Sequence, residues 1–138
     1  MNTIDDVKIV SFPELGDERG RLVVIEGGKQ IPFDVKRVFY IYGSDSDVVR
    51  GQHANRDSEF CLINVCGQSK VKVIDQQANE KVFVLDKPHM GVYLPPMIWK
   101  NMYDFSVDSI LLVLSSHYYD KAEYISDFNE YLKGAAHE

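Results

Sequence analysis

Residues 69–86 read SKVKVIDQQANEKVFVLD, and this stretch decides the fold class. Lys70 and Lys72 alternate with Val71 and Val73, the two-residue period of a strand with one wet face and one dry face. Asn79 marks a turn, and a second short apolar run, EKVFVLD, follows it. Working outward, the same unit recurs at nearly even intervals: VKIVSF (7–12), RLVVIE (21–26), VKRVFYIYG (35–43), EFCLINVCG (59–67), MGVYLPP (90–96) and SILLVLSS (109–116). Each run is rich in Val, Ile, Tyr or Phe. Turn formers separate them: Gly16-Asp17, Gly27-Gly28, Gly43-Ser44-Asp45, Gly67, Pro88 and Pro95-Pro96. Many short strands at this spacing predict a sandwich or barrel. SILLVLSS is apolar on both faces and is expected inside a sheet rather than at its edge.

One segment leaves this period. Asp120 can cap a helix, Glu123 completes a capping-box pattern, and Ala122, Ile125, Phe128 or Asn129, and Leu132 recur at helical spacing before Gly134. The expectation is one mostly-β domain over residues 1–138 with a C-terminal amphipathic α-helix packed against the sheets. Its 138 residues, 45% hydrophobic and 26% charged, suit one core of ordinary size.

The net charge of −6 argues against nucleic acid and anionic membranes as partners, although a few focused arginines can still capture a small anion. No apolar run approaches the roughly 20 residues needed to span a bilayer. The N-terminus MNTIDDVKIV lacks the basic patch and apolar stretch of a signal peptide, so the cytoplasm is the expected compartment. Cys61 and Cys66 stand five apart on one strand, point to opposite faces and are expected as reduced packing residues.

The stretch RGQHANRDSEF, 50–60, is too polar for a strand destined only for a core. His53 has the ordinary pKa, about 6.5, that suits proton transfer near neutrality, and Arg50 offers a charged fork for phosphate oxygens. Together they fit a general base beside an anion clamp. The residues equally fit a half-buried histidine satisfied by hydrogen bonds, with Arg50 in a surface ion pair. Lys36 and Arg37 read first as a solvated edge and second as a phosphate contact. Tyr118, Tyr119 and His117 are expected at the junction with the terminal helix, and His137 carries no expectation.

Beyond these residues the chain resembles the bacterial dTDP-sugar 3,4-ketoisomerases. The marks are DERGRL, IEGGKQIPFDVKRVFYIY, RGQHAN, GVYLPPMIWKNMYDFS and LVLSSHYYDKAEYISDFNEYL, in one order from Asp17 to Leu132. The resemblance implies a single cupin (RmlC-like jelly-roll) barrel. It also implies isomerisation of dTDP-4-keto-6-deoxy-D-glucose to a 3-keto sugar through an enediolate, with no cofactor. His53 matches the probable base of the family motif, and Arg50 the arginine that would hold the pyrophosphate or sugar. Arg19, followed by Gly20, matches members giving the galacto product, precursor of 3-amino-3,6-dideoxygalactose. Tyr93 and Trp99 lie in a segment placed near the barrel mouth, where either would stack on thymine or sugar; Trp99 reads equally well as core. Family members are dimers serving surface-polysaccharide pathways such as lipopolysaccharide O-antigen, so a homodimer is the expected partner state.

The chain also departs from the pattern. Asn55 stands where the motif has a second histidine, Phe39 where a tyrosine is common (Tyr40 keeps its neighbour) and Phe60 where a glutamine is common. Asn55 can hydrogen-bond an enediolate oxygen or orient His53 but cannot carry a proton. The second proton carrier is then expected at His89, Tyr93 or a water. Metal-binding cupins present a His-x-His pair, a downstream Glu and a further His. Here only His53 and Glu59 remain, with Asn55 and Trp99 in the other positions, so no metal is expected. A sugar-nucleotide epimerase and a binding cupin without turnover are the alternatives.

Overall fold

The computed structural model describes residues 1–134. Two five-stranded antiparallel sheets face each other. The first runs β1 (Lys8–Ser11), β9 (Met90–Leu94), β6 (Phe60–Cys66), β11 (Ile110–Ser115), β4 (Arg37–Tyr42). The second runs β12 (Tyr124–Ile125), β5 (Arg50–Asn55), β10 (Trp99–Tyr103), β7 (Ser69–Ile74), β8 (Glu80–Leu85). A separate hairpin joins β2 (Glu14–Asp17) to β3 (Gly20–Val23). Most neighbours in a sheet are distant in sequence, the connectivity of a jelly roll.

The main core lies between the sheets. Leu62, Leu94, Leu111 and Val113 from the first meet Val71, Val73, Leu85 and Met102 from the second. β7 shows the expected alternation: Val71 and Val73 are fully buried, while Lys70 and Lys72 reach outward to Asp104 (3.0 Å) and Glu80 (3.4 Å). β11 is paired on both edges, by β4 and β6. The outer face of the first sheet is covered by Phe12, Ile31 and Phe33, packed on Cys61, Ile63 and Leu114. Cys61 is therefore a packing residue, but Cys66 is exposed, its thiol 3.9 Å from Asp108. The strand runs out of the core at its last two residues, Val65 and Cys66, so the packing expected of Cys66 fails.

The terminal helix is α1, Phe128–Gly134, shorter than its sequence pattern. Asp120 caps only a 3₁₀ turn, Lys121–Glu123, by accepting from the Ala122 N–H at 3.0 Å. Glu123 makes no capping box because its carboxylate is taken by the loop after β5, where it accepts from the N–H groups of Asp57 (3.1 Å) and Ser58 (2.8 Å) and from Ser58 Oγ. Tyr124 and Ile125 then pair with Asn55 and Ala54 as a strand. Asp127 starts the helix by accepting from the Glu130 N–H at 3.1 Å. Tyr118 and Tyr119 do not pack beneath it: both are exposed.

α1 is fastened by Tyr131. Its ring is 1% exposed, and its hydroxyl lies 2.7 Å from the Ile74 carbonyl and 2.8 Å from that of Met97, while accepting from the Trp99 N–H at 3.3 Å. Trp99 packs against Tyr131 and Phe128 at ring-centroid distances of 5.6 and 5.0 Å, so of its two sequence readings the structure places it in the core. Tyr131→Phe keeps this packing but strands a buried N–H and carbonyl. Urea unfolding should show a loss of about 1–3 kcal/mol.

Candidate active site

β5 and β10 pair directly, with His53 opposite Lys100, but the register slips between Lys100 and Asn101. Asn101 faces Gly51, which leaves Gln52 as an extra residue, a β-bulge. Gly51 and Gln52 both hold positive φ, 85° and 57°. A Cβ on Gly51 would lie 2.9 Å from the Lys100 carbonyl oxygen, so the sequence needs glycine here for its backbone angle and for close approach. The bulge turns the Gly51 carbonyl onto the imidazole: His53 Nδ1 lies 2.9 Å from it. A carbonyl only accepts, so Nδ1 carries the hydrogen and Nε2 is left with its lone pair.

His53 lines a cavity of about 300 Å³ between the sheets. Its floor is apolar, with Ile41, Leu62, Met102 and Val113, and its walls carry Arg37, Phe39, Arg50, Gly51, Lys100, Tyr119 and Tyr124. Burial, then the positive charge of Lys100 and more weakly that of Arg37, push the His53 pKa down to about 4, against a partial upward pull from the Gly51 hydrogen bond. At neutral pH the ring is an uncharged base. Tyr124 packs on it with centroids 4.8 Å apart.

Lys100 is 3% exposed. Its Nζ donates to Asn55 Oδ1 at 3.2 Å and sits 4.1 Å from the centre of the Phe60 ring. Burial drives its pKa down to about 7, although Glu123 pulls upward; Arg37 adds a smaller downward push. Burial also pushes the Glu123 carboxyl upward, but the hydroxyl and N–H of Ser58, the Asp57 N–H and, more weakly, the Asn55 amide outweigh it and hold the group below the ordinary carboxylate range. Arg37 is braced by Tyr124 Oη and Ser115 Oγ, both at 3.4 Å, and its guanidinium lies 5.4 Å from the Phe39 ring centre and 5.7 Å from that of Tyr119. Arg37 is thus a wall of the cavity rather than a solvated edge; its neighbour Lys36 is exposed, over the Tyr118 ring.

Of the residues singled out from sequence, the structure gathers His53 and Arg50 in the cavity wall and Asn55 just behind Lys100. Arg37 and Phe39 also line the cavity, whereas Arg19, Tyr40, Tyr93 and His89 lie apart from it in the single chain. Arg19 is on the β2–β3 turn, its guanidinium 86% exposed and bound to Asp17 at 2.7 Å. Tyr40 is exposed on the outer side of β4, stacked on Tyr42. Tyr93 donates to Glu59 Oε1 at 2.6 Å, and His89 lies 3.3 Å from Glu14. Sequence reasoning passed over Lys100 and Tyr124, and assigned Tyr119 and Glu123 to the terminal helix rather than to this site. Only the lysine in WKNMY offered a signal, a lone cation in a strand between a buried tryptophan and a buried methionine.

Fold and site together define a class: a cupin-type jelly roll whose inner cavity holds a neutral imidazole beside Arg37, Arg50 and Lys100. Residues 5–136 match the family described as FdtA: WxcM-like, C-terminal, and the chain belongs to that family. It is 38% identical over 126 residues to a TDP-4-oxo-6-deoxy-alpha-D-glucose-3,4-oxoisomerase of Aneurinibacillus thermoaerophilus, covering 91% of this chain and 90% of that one. It also superposes on a point mutant of the 3,4-ketoisomerase QdtA from Thermoanaerobacterium thermosaccharolyticum in complex with TDP-4-keto-6-deoxyglucose. The TM-score is 0.92, with 36% identity and 96% of each chain covered. For WlaRA, a TDP-fucose-3,4-ketoisomerase from Campylobacter jejuni, the TM-score is 0.88 at 38% identity, over 93% of this chain and 94% of that one.

Two measurements check this electrostatic arrangement. By NMR the His53 ring should titrate near pH 4, and Lys100→Met should raise the midpoint without restoring the ordinary 6.5, because burial remains. Between those values the unfolded chain binds a proton that the folded ring refuses. Stability from His53 is therefore fully present above pH 6.5 and lost as pH falls toward 4. Gly51→Ala should cost about 1–3 kcal/mol in urea unfolding and move the same midpoint, since it disturbs the carbonyl that holds the ring.

Proposed function

We propose that the chain is a TDP-sugar 3,4-ketoisomerase that converts dTDP-4-keto-6-deoxy-D-glucose to a dTDP-3-keto-6-deoxyhexose. The observation that carries this reading is the neutral His53 imidazole, its Nδ1 tied to Gly51, beside Lys100 and Arg37 in a cavity large enough for a hexose. His53 Nε2 takes the C3 proton, the electron pair moves toward the C4 oxygen, and the enediolate is steadied by the surrounding cations. His53 then returns a proton at C4. Arg50, exposed and lining the cavity, would hold the pyrophosphate, and Asn55 would act through Lys100. The reaction transfers protons only and needs no redox cofactor. Two cations beside His53 also disfavour a divalent metal there.

The same reading takes residues 1–138 as one catalytic unit working in the cytoplasm as a homodimer. Apolar side chains left exposed on β2, β3 and the edge strand β4, among them Leu15, Leu22, Val38 and Tyr40, support a second copy. The Arg19-Gly20 pair favours the galacto product. Such a product would feed a 3-amino-3,6-dideoxyhexose pathway for lipopolysaccharide O-antigen.

Incubation of dTDP-4-keto-6-deoxyglucose with the protein in D₂O, followed by NMR, tests the reading. Deuterium at C4 of a 3-keto product is expected; label at other carbons would indicate an epimerase, and saturable binding without incorporation a binding protein. His53→Asn should lower turnover by about 10²–10⁴-fold while leaving TDP affinity intact. Undiminished turnover in that variant would remove His53 as the base.

A further inference from the structure

A 3,4-ketone shift relocates two protons. One passes from C3 to C4 and the other from the C3 hydroxyl to the C4 oxygen. A single imidazole serves the carbons, and Asn55 cannot serve the oxygens because an amide does not titrate near neutrality. The cavity holds another group that can. Lys100 lines it from β10, directly across the strand pair from His53, which puts the two Cβ atoms about 4.5–5.5 Å apart on one face. Among the described residues its Nζ has one hydrogen-bond partner, Asn55 Oδ1, so two of its three donor positions are uncommitted.

Resting on the isomerase reading, we propose that Lys100 is the proton carrier for the two sugar oxygens, and that Asn55 is its positioning residue. As the C3–H bond breaks and its pair becomes the C3–C4 double bond, the carbonyl pair collects on the C4 oxygen, which takes a proton from Nζ. The neutral amine then takes the proton of the C3 hydroxyl, whose electrons form the new carbonyl. The double-bond pair accepts the proton held by His53 at C4. Both side chains end in their starting states.

The surroundings of Lys100 suit this cycle. Glu123 favours the ammonium, whereas burial and Arg37 oppose it. With its pKa brought to about 7, the group is ready to give and regain a proton near neutrality. Like charges at His53 and Lys100 also couple the two transfers: a proton arriving at the imidazole weakens the hold of the amine on its own. Through the whole cycle the pair carries a single positive charge.

The test uses full-length Lys100→Arg, Lys100→Met and Lys100→His with dTDP-4-keto-6-deoxyglucose, scoring product formation, deuterium exchange at C3 of recovered substrate, TDP affinity and thermal unfolding. Arginine keeps the charge but does not release a proton. Lys100→Arg should therefore lose turnover by about 100-fold or more while still exchanging C3 and binding TDP, with histidine recovering about tenfold or more over arginine. Full turnover in Lys100→Arg would overturn the proposal. So would loss of C3 exchange together with turnover at unchanged TDP affinity, which would assign Lys100 to the carbon step or to holding the sugar. Should Lys100→Met not fold, the arginine and histidine variants still decide the matter. A wild-type chain that neither exchanges C3 nor forms product would instead fail the isomerase reading itself.

Discussion

The hydrogen bond from His53 Nδ1 to the Gly51 carbonyl exists because β5 carries one residue more than its partner strand. An even ladder would direct that carbonyl toward β10, and the imidazole would lack its fixed tautomer. The extra residue, Gln52, and the positive φ of Gly51 turn the carbonyl inward. The arrangement stores backbone strain, which the pairing of β5 with both β10 and β12 holds in place. The tautomer of His53 is thus set by the path of the main chain rather than by a neighbouring carboxylate.

Around that nitrogen the cavity is positive although the chain as a whole is acidic. Arg37, Arg50 and Lys100 converge on it, and the carboxylate beside them, Glu123, is buried behind a ring of N–H and hydroxyl donors. The result is a small region suited to negative charge in a protein whose surface repels it. Burial acts in the same direction on both titratable bases, favouring the uncharged form of His53 and weakening the hold of Lys100 on its proton. The two stay apart because an amine is intrinsically a stronger base than an imidazole, and Glu123 offsets part of the burial cost at the lysine.

The sheets were legible because short Val-, Ile- and aromatic-rich runs stand between turn formers, β7 with a clear two-residue period, and each apolar run named from sequence contributes a strand. The strands that carry the site were not. RGQHAN and WKNMY lack alternation because their inward positions hold a base and a cation where packing alone would call for valine or leucine. His53 and Arg50 could be found from residue type within one short stretch. Lys100 could not, since its importance comes from standing opposite His53 in a pairing that no local pattern announces. The terminal helix was drawn too long for a related reason. Glu123 and Ile125 fit helical spacing, but the loop after β5 and the β5 edge take them first. Arg19, Tyr40, Tyr93 and Trp99 entered through family likeness, which transmits position in a motif but not the direction of a side chain within one protomer.

The strand that bears the imidazole lies between β10 and β12, and β12 comprises only residues 124–125. On the ribosome β5 emerges before both of its partners and keeps one edge bare until residues 124–125 have been made. Its other neighbour, β10, is also a late arrival, as are β9 and β11 in the opposite sheet. Nascent chains of this jelly roll therefore carry unsheathed strands until β12 has been made, and pairings of such long sequence separation close slowly. Truncation upstream of Tyr124 should accordingly leave the outer edge of β5 bare and favour aggregation.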